Sequence, residues 1–458
     1  MFTCHLRSKA ATVALMSLTL ALTQACTATP GSRPGPQTTA PAPSAALPGT
    51  VPPATPMTDI SASCPGNSSE VEEAFALPSY LYAEWIGCGG IGFARSTDSG
   101  QHFGTAMTVP GSRGFSWDPA ITVAADGTVY AAFMHAGPQP STAPIFPVVA
   151  VSHDHGASFT QVRPDRPAAA GNWGDRDFIA AGRADQLFLT WDYGPSAAEL
   201  KTLCARAGSC AFANGDLNAV IQTSSNGGTT WGPITRLEPG FPLGGGYSAP
   251  LVVRPDGSVD VLYLAHPTDP GTDRLHPGYE YFTSSADGTH WPAAPRRLWP
   301  GQGTLSVPEW WIDGDISTDS AGNLYVTWDT QTAAGDIGWL TYSQDGGRTW
   351  SAPLRVTPDT DNAPHIVESA GGGPGIAYIA WQTSAPAQGY ATYLRPFSVR
   401  RGWLGPAIKV SAAYGNAGIW PGDTFGISSL PGGRISLTWG SAVGTSRSSA
   451  IYAAVVRT

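Results

Sequence analysis

The sequence predicts an all-β fold assembled from many short antiparallel strands. Three observations carry this: a turn-rich, weakly charged composition, an octapeptide that recurs five times, and an alternating strand motif that recurs seven times. The 458-residue chain holds 55 Gly and 41 Pro, together about a fifth of it. Charged residues make up 13%, roughly half the usual share of ~25%. There are 16 Trp. Such a composition disfavours helix bundles and coiled coils and favours strands joined by tight turns. Apolar content of 42% excludes wholesale disorder. The formal net charge of −9 argues against a nucleic-acid partner, which requires a basic face.

The N-terminal 57 residues lie outside that fold. Arg7 and Lys9 precede an apolar run from Ala10 to Leu22, too short to span a bilayer and shaped like a secretory signal. The run ends in Leu22-Thr23-Gln24-Ala25-Cys26, which resembles the bacterial lipobox. The resemblance implies diacylation of Cys26 and cleavage before it; ordinary secretion with Cys26 incidental is the alternative. Residues 27–57 are mostly Thr, Pro, Ala, Gly and Ser with Arg33 as the one charged residue, the make-up of a semi-extended spacer. The expected organisation is a signal at 1–25, a tether at 26–57 and one domain at 58–458. The expected location is outside the cytoplasm, held to the membrane by lipid alone. Past the signal and Cys26, four cysteines remain, and an even set in an exported chain implies disulfides. Proximity favours Cys64–Cys88 and Cys204–Cys210. A four-cysteine metal site is the alternative, but no CxxC spacing occurs. No metal and no cofactor are expected.

The octapeptide reads STDSGQHF at 96–103, SHDHGASF at 152–159, SSNGGTTW at 224–231, SSADGTHW at 284–291 and SQDGGRTW at 343–350. Its pattern is S-x-D-x-G-x-x-W/F, with Asn226 and Ala286 in place of the Asp in two copies. A decayed sixth copy ends at Trp403. The Asp is suited to close an Asx-type turn, the Gly to take a positive φ, and the aromatic to tuck under a sheet. The pattern resembles the Asp-box, or BNR, repeat of sialidase-like β-propellers. That resemblance implies radially arranged four-stranded blades and gives the octapeptide a structural role.

The strand motif counts the blades. Its copies end at Trp85, Phe133, Trp191, Tyr263, Trp328, Trp381 and Trp439, spaced 48, 58, 72, 65, 53 and 58 residues apart. Each copy follows one short apolar strand and precedes another that runs into the octapeptide, giving strands A, B, C and D. The fold is therefore expected to be a β-propeller of seven four-stranded antiparallel blades, with six as the alternative. The last unit lacks a D strand, so an N-terminal strand near residues 58–66 is expected to close the ring, which hides the sheet edges.

In such blades the D-to-A and B-to-C connections share one face, and the octapeptides lie on the other. The residues entering strand A are therefore the candidates. Trp117-Asp118, Trp173 with Asp175, Arg176 and Asp177, Trp310-Trp311 with Asp313 and Asp315, and Trp420 with Asp423 repeat a tryptophan followed by carboxylates. Other units offer Glu70, Tyr247-Ser248, and Asn362 with His365. Flat rings stack on sugar C–H faces, and paired carboxylates serve glycoside hydrolysis. The candidate catalytic set is Asp175, Asp177, Glu309, Asp313 and Asp315. Trp117, Asp118, Trp173, Arg176, Tyr247, Trp310, Trp311, His365, Trp420 and Asp423 are the candidate substrate-binding set. A structural alternative stands beside this: an Asp at the start of an inner strand also ties the neighbouring blade's backbone.

Three functions fit. The first is a cell-surface glycoside hydrolase resembling the sialidase superfamily. The second is a non-catalytic propeller that binds a glycan or a protein. The third is a polysaccharide lyase using Tyr247 or His365 as base. A true exo-sialidase is disfavoured, because neither the arginine triad nor the Phe/Tyr-Arg-Ile-Pro motif implied by that family is present. The expected partner is a glycan or polysaccharide, and the chain is expected to act as a monomer.

Overall fold

Each copy of the strand motif forms the second strand of its own antiparallel sheet, so seven copies build seven blades. The structure is a computed structural model. It describes residues 56–136, 145–164, 173–194, 218–237, 246–247, 249–265, 279–298, 314–332, 335–357, 364–383, 389–411, 415–416, 418–419, 421–443 and 446–458. These residues contain strands and turns and no helix. Blade 1 runs from its innermost strand outward as Ser69–Ala76, Tyr80–Gly87, Gly90–Ser96 and Met107–Thr108. Strand A of blades 2, 3 and 4 is Phe115–Val123, Trp173–Ala181 and the pair Gly246–Tyr247 and Leu251–Val253. In blades 5, 6 and 7 it is Asp315–Thr318, Pro364–Gly371 and Gly426–Leu430.

The terminal aromatics of the seven B strands are all buried. Core clusters cross the blade boundaries. Tyr82 and Phe93 of blade 1, for example, pack with Ile121, Phe133 and Phe146 of blade 2. The repeat thus exists because each blade presents one large ring to be covered by its neighbour.

The last blade takes its outermost strand from the other end of the chain. Thr58 and Asp59 pair with Ala453 and Tyr452. The following segment stays on that blade: Ile60 N–H donates to Ile451 O at 2.8 Å, and Asn67 Oδ1 accepts Ser449 N–H at 2.7 Å. Cys64 then joins Cys88, in the B-to-C turn of blade 1, by a disulfide. The Cys204–Cys210 pairing lies outside the described residues.

The octapeptides form the turns their sequence requires. The Gly100, Gly156, Gly228 and Gly347 amides each donate to the Oγ of the first serine at 2.8–2.9 Å. The aspartate accepts the amide four residues on, as Asp154 does from Ser158 at 2.9 Å. Asn226 makes the same bond to Thr230 at 2.9 Å. The copy in blade 4 differs from its sequence alignment. Ser285, not Ser284, begins it, Asp287 takes the aspartate role, and the Gly288 amide donates to Ser285 Oγ at 2.9 Å. Ala286 is therefore not a replacement; this copy is one residue shorter between Asp and Gly.

Candidate functional site

Strand A begins irregularly in four blades. Its register against strand B slips between Ser69 and Val71, Trp117 and Ala120, Asp175 and Phe178, and Pro364 and Ile366. In blades 1, 2 and 3 the residue in the bulge is Glu70, Asp118 or Arg176, with φ of 48°, 48° and 51°. Non-glycine residues seldom occupy that left-handed region, and bulges of this kind re-aim side chains. Three successive blades therefore set one charged residue each in a strained conformation around the channel mouth.

These residues meet across blades. Arg176 N–H donates to Asp118 Oδ2 at 2.6 Å, and its guanidinium pairs with Asp423 at 3.3 Å. Trp117 Nε1–H donates to Asp175 Oδ1 at 2.6 Å. Burial works against the charge on Arg176, but Asp423, Asp175, Asp118 and Asp192 outweigh it and hold its pKa above the ordinary value. Burial and the Asp423 charge push the Glu70 carboxyl up to about 8, with Arg176 partly opposing them. Burial, Asp175 and Glu70 push Asp118 well above the usual carboxylate range.

Below the mouth lies a cavity of about 160 Å³, lined from all seven blades. One wall is acidic: Glu72, Asp315, Glu368 and Asp423. The opposite wall is apolar: Ile121, Phe178, Ile179 and Leu251. Burial, then the Asp315 and Glu73 charges, raise Glu72 well above its ordinary pKa. Burial, then Glu72 and Asp315, do the same to Glu368. Burial also lifts Asp315, to about 6, against the stabilising bonds from Ser369. Some of these carboxylates tie blades together. Asp315 Oδ2 accepts Ser369 N–H at 2.7 Å, and Glu368 Oε1 accepts Phe425 N–H at 2.9 Å. Among the described residues no group of three or more His, Cys, Asp or Glu is arranged to hold a metal ion.

Of the residues singled out from sequence, Trp117, Asp118, Asp175, Arg176 and Asp423 come together at the mouth, and Asp315 lines the cavity beneath. Asp177 is 2% exposed. Neither of its carboxylate oxygens has a partner in normal hydrogen-bond geometry, although its own amide and that of Met134 offset part of the burial that raises its pKa. Trp173 opens its strand, Tyr247 follows Gly246 in strand A of blade 4 and His365 follows Pro364 in strand A of blade 6, but their side chains lie outside the described residues, as do Glu309, Trp310, Trp311, Asp313 and Trp420 entirely. Arg254 sits on the opposite face, bound to Asp260 at 2.6 Å. The sequence named Glu70 only in passing, and Glu72 and Glu368 not at all. Their signal is the presence of acids in inner strands, three in SEVEEAFA of blade 1 and one in PHIVESAG of blade 6.

No family model matches the sequence, and no curated protein sequence matches it. Solved structures do share the shape. A polysaccharide lyase described as an ulvan lyase of a new family is 12% identical, with a TM-score of 0.52, over 86% of this chain and 94% of its own. A second polysaccharide lyase is 10% identical, with a TM-score of 0.50, over 86% and 90%. The NanB sialidase of Streptococcus pneumoniae is 10% identical, with a TM-score of 0.49, over 82% and 83%. At these identities the likeness is one of β-propeller fold.

Proposed function

We propose that this chain is an exported, lipid-anchored propeller carrying Asp-box repeats, and that it takes a glycan at the channel mouth and cleaves it. The observation that supports this most is the trio of charged bulge residues, Glu70, Asp118 and Arg176, at equivalent positions of three successive blades. Such strain collects at working sites. Trp117 and Asp175 beside it supply a fixed ring and a hydrogen-bonding carboxylate.

In this reading Glu70 holds a proton at neutral pH, because burial and Asp423 raise its pKa to about 8. It is the proton donor to the departing sugar oxygen. Asp423, paired with Arg176, is the partner carboxylate. Arg176 is already paired with Asp423, so it makes a poor clamp for an anionic sugar, which weighs against sialidase and uronate-lyase chemistry. A second reading, a binder without turnover, is favoured by Asp118, Asp315 and Glu368 accepting backbone N–H bonds from the next blade. A glycan array with residues 58–458, followed by product analysis on each bound glycan, separates the two. Binding with new reducing ends supports the enzyme, binding alone supports the second reading, and no bound glycan removes both.

A further inference from the structure

Among the described residues three large hydrophobic side chains are exposed: Leu77, Phe115 and Leu404. Leu77 lies between strands A and B of blade 1, on the octapeptide face. Leu404 follows the outer strand Gly402–Trp403 of blade 6. Phe115 alone opens an inner strand at the channel mouth, and it is 44% exposed. Gly114, with φ of 107°, turns the chain into that strand. Phe115 pairs with Ala136 in the backbone register of strands A and B.

Two residues further on is Trp117. Side chains on a strand alternate, so both rings lie on one face of it, about 7 Å apart along the chain. The Trp117 indole is held by its bond to Asp175. The pair forms an aromatic track leading from solvent toward Glu70, Asp118 and Arg176. A phenyl ring has no polar edge, so its exposure serves neither a hydrogen bond nor a charge. What it offers is a flat carbon face.

We propose that Phe115 is an outer stacking platform, so that the site binds at least two consecutive sugars running outward over blade 2. The inner sugar rests against Trp117 and the outer one on Phe115. This rests on the carbohydrate reading above and deepens it: the substrate is an oligosaccharide or polymer, and Phe115 is a positioning residue rather than a catalytic one.

The test measures binding by calorimetry on the chain purified in detergent with its N-terminal segment. The probes are hexasaccharides of β-1,4-glucose, β-1,4-glucosamine, α-1,5-arabinose and α-1,4-galacturonate, each with its monosaccharide. For the hexasaccharide that binds, Phe115→Ala is expected to lower affinity about five- to tenfold. Monosaccharide affinity stays unchanged, Phe115→Tyr restores binding, and both variants melt with the wild type. Unaltered hexasaccharide binding by Phe115→Ala, or equal losses for both lengths, overturns the outer platform and leaves the carbohydrate reading standing. Failure of the wild type to bind any probe overturns both.

Discussion

The two faces of the propeller use the same carboxylates to opposite ends. On the octapeptide face each Asp is surrounded by donors. The hydroxyl and amide of Ser158, its largest stabilisers, hold Asp154 down to about 2. The hydroxyl and amide of Thr349 hold Asp345 down to about 2. On the mouth face the acids crowd one another, and burial lifts Glu70 to about 8. Both patterns repeat around the ring, so repetition does not distinguish scaffold from site. The balance of donors differs between the faces: the turn closes on itself, whereas burial and neighbouring acids at the mouth raise Glu70 and Asp118.

Substitutions on the two faces should therefore separate activity from stability. The largest effect is expected from Glu70→Gln, which keeps size and removes the proton donor. Turnover of the glycan found on the array should fall about 100-fold or more, while the melting temperature holds or rises. A variant that keeps full turnover would return the mouth acids to a scaffold role.

Gly156→Ala should do the reverse. Gly156 has φ of 73°, and an added Cβ would stand 2.6 Å from Phe93 Cζ of the preceding blade. Strain and overpacking together should cost roughly 2–4 kcal/mol in denaturant unfolding, with glycan affinity unchanged. Loss of binding without loss of stability would mean that the octapeptide face serves the ligand.

The melting temperature should rise as pH is lowered from 8 to 5. Burial raises Glu70 and Glu280 to about 8, Glu73 to about 7 and Asp315 to about 6. Unfolded carboxyls titrate near ~4. Between those values the folded chain holds more protons than the unfolded one, so this stability is full below the window and lost as pH rises through it. Glu70→Gln should flatten part of the slope. A melting temperature that climbs from pH 5 to 8 would contradict the assignment. Asp154 has the opposite sign: its stabilisation is lost only as pH falls below ~4 toward 2.

The smallest effect belongs to Asp154→Asn, at about 0.5 kcal/mol or less, because Asn226 already makes the equivalent bond in blade 3. A drop as large as that of Gly156→Ala would show that the charge, not the turn, matters there.

The blade count was legible because glycine turns and B-strand aromatics each have one physical solution, repeated. The frame of the blade 4 octapeptide was not, since Ser284 and Ser285 offer two alignments and only the Gly288 bond chooses. Trp117, Asp118, Asp175, Arg176 and Asp423 were legible as a ring followed by a charge. Glu70 lacks the tryptophan, and its neighbours Ser69 and Val71 give no cue to a bulge. Asp177 was read with Asp175 as a carboxylate pair. The register breaks between Asp175 and Phe178, so Asp177 lies within the bulge and strand alternation from Asp175 does not assign its side.

The closing strand has a mechanical consequence. Tension applied from the N-terminal side meets two ladder pairs, Thr58 with Ala453 and Asp59 with Tyr452, and then the bonds of Ile60 and Ser61 to Ile451, before it reaches Cys64. Those pairs can peel one after another under a small load. At Cys64 the peeling stops, because the covalent link to Cys88 transfers the pull to the second turn of blade 1. The disulfide is a strain relief of the kind that spares a cable's solder joint, and it confines unravelling to the few residues outside the ring.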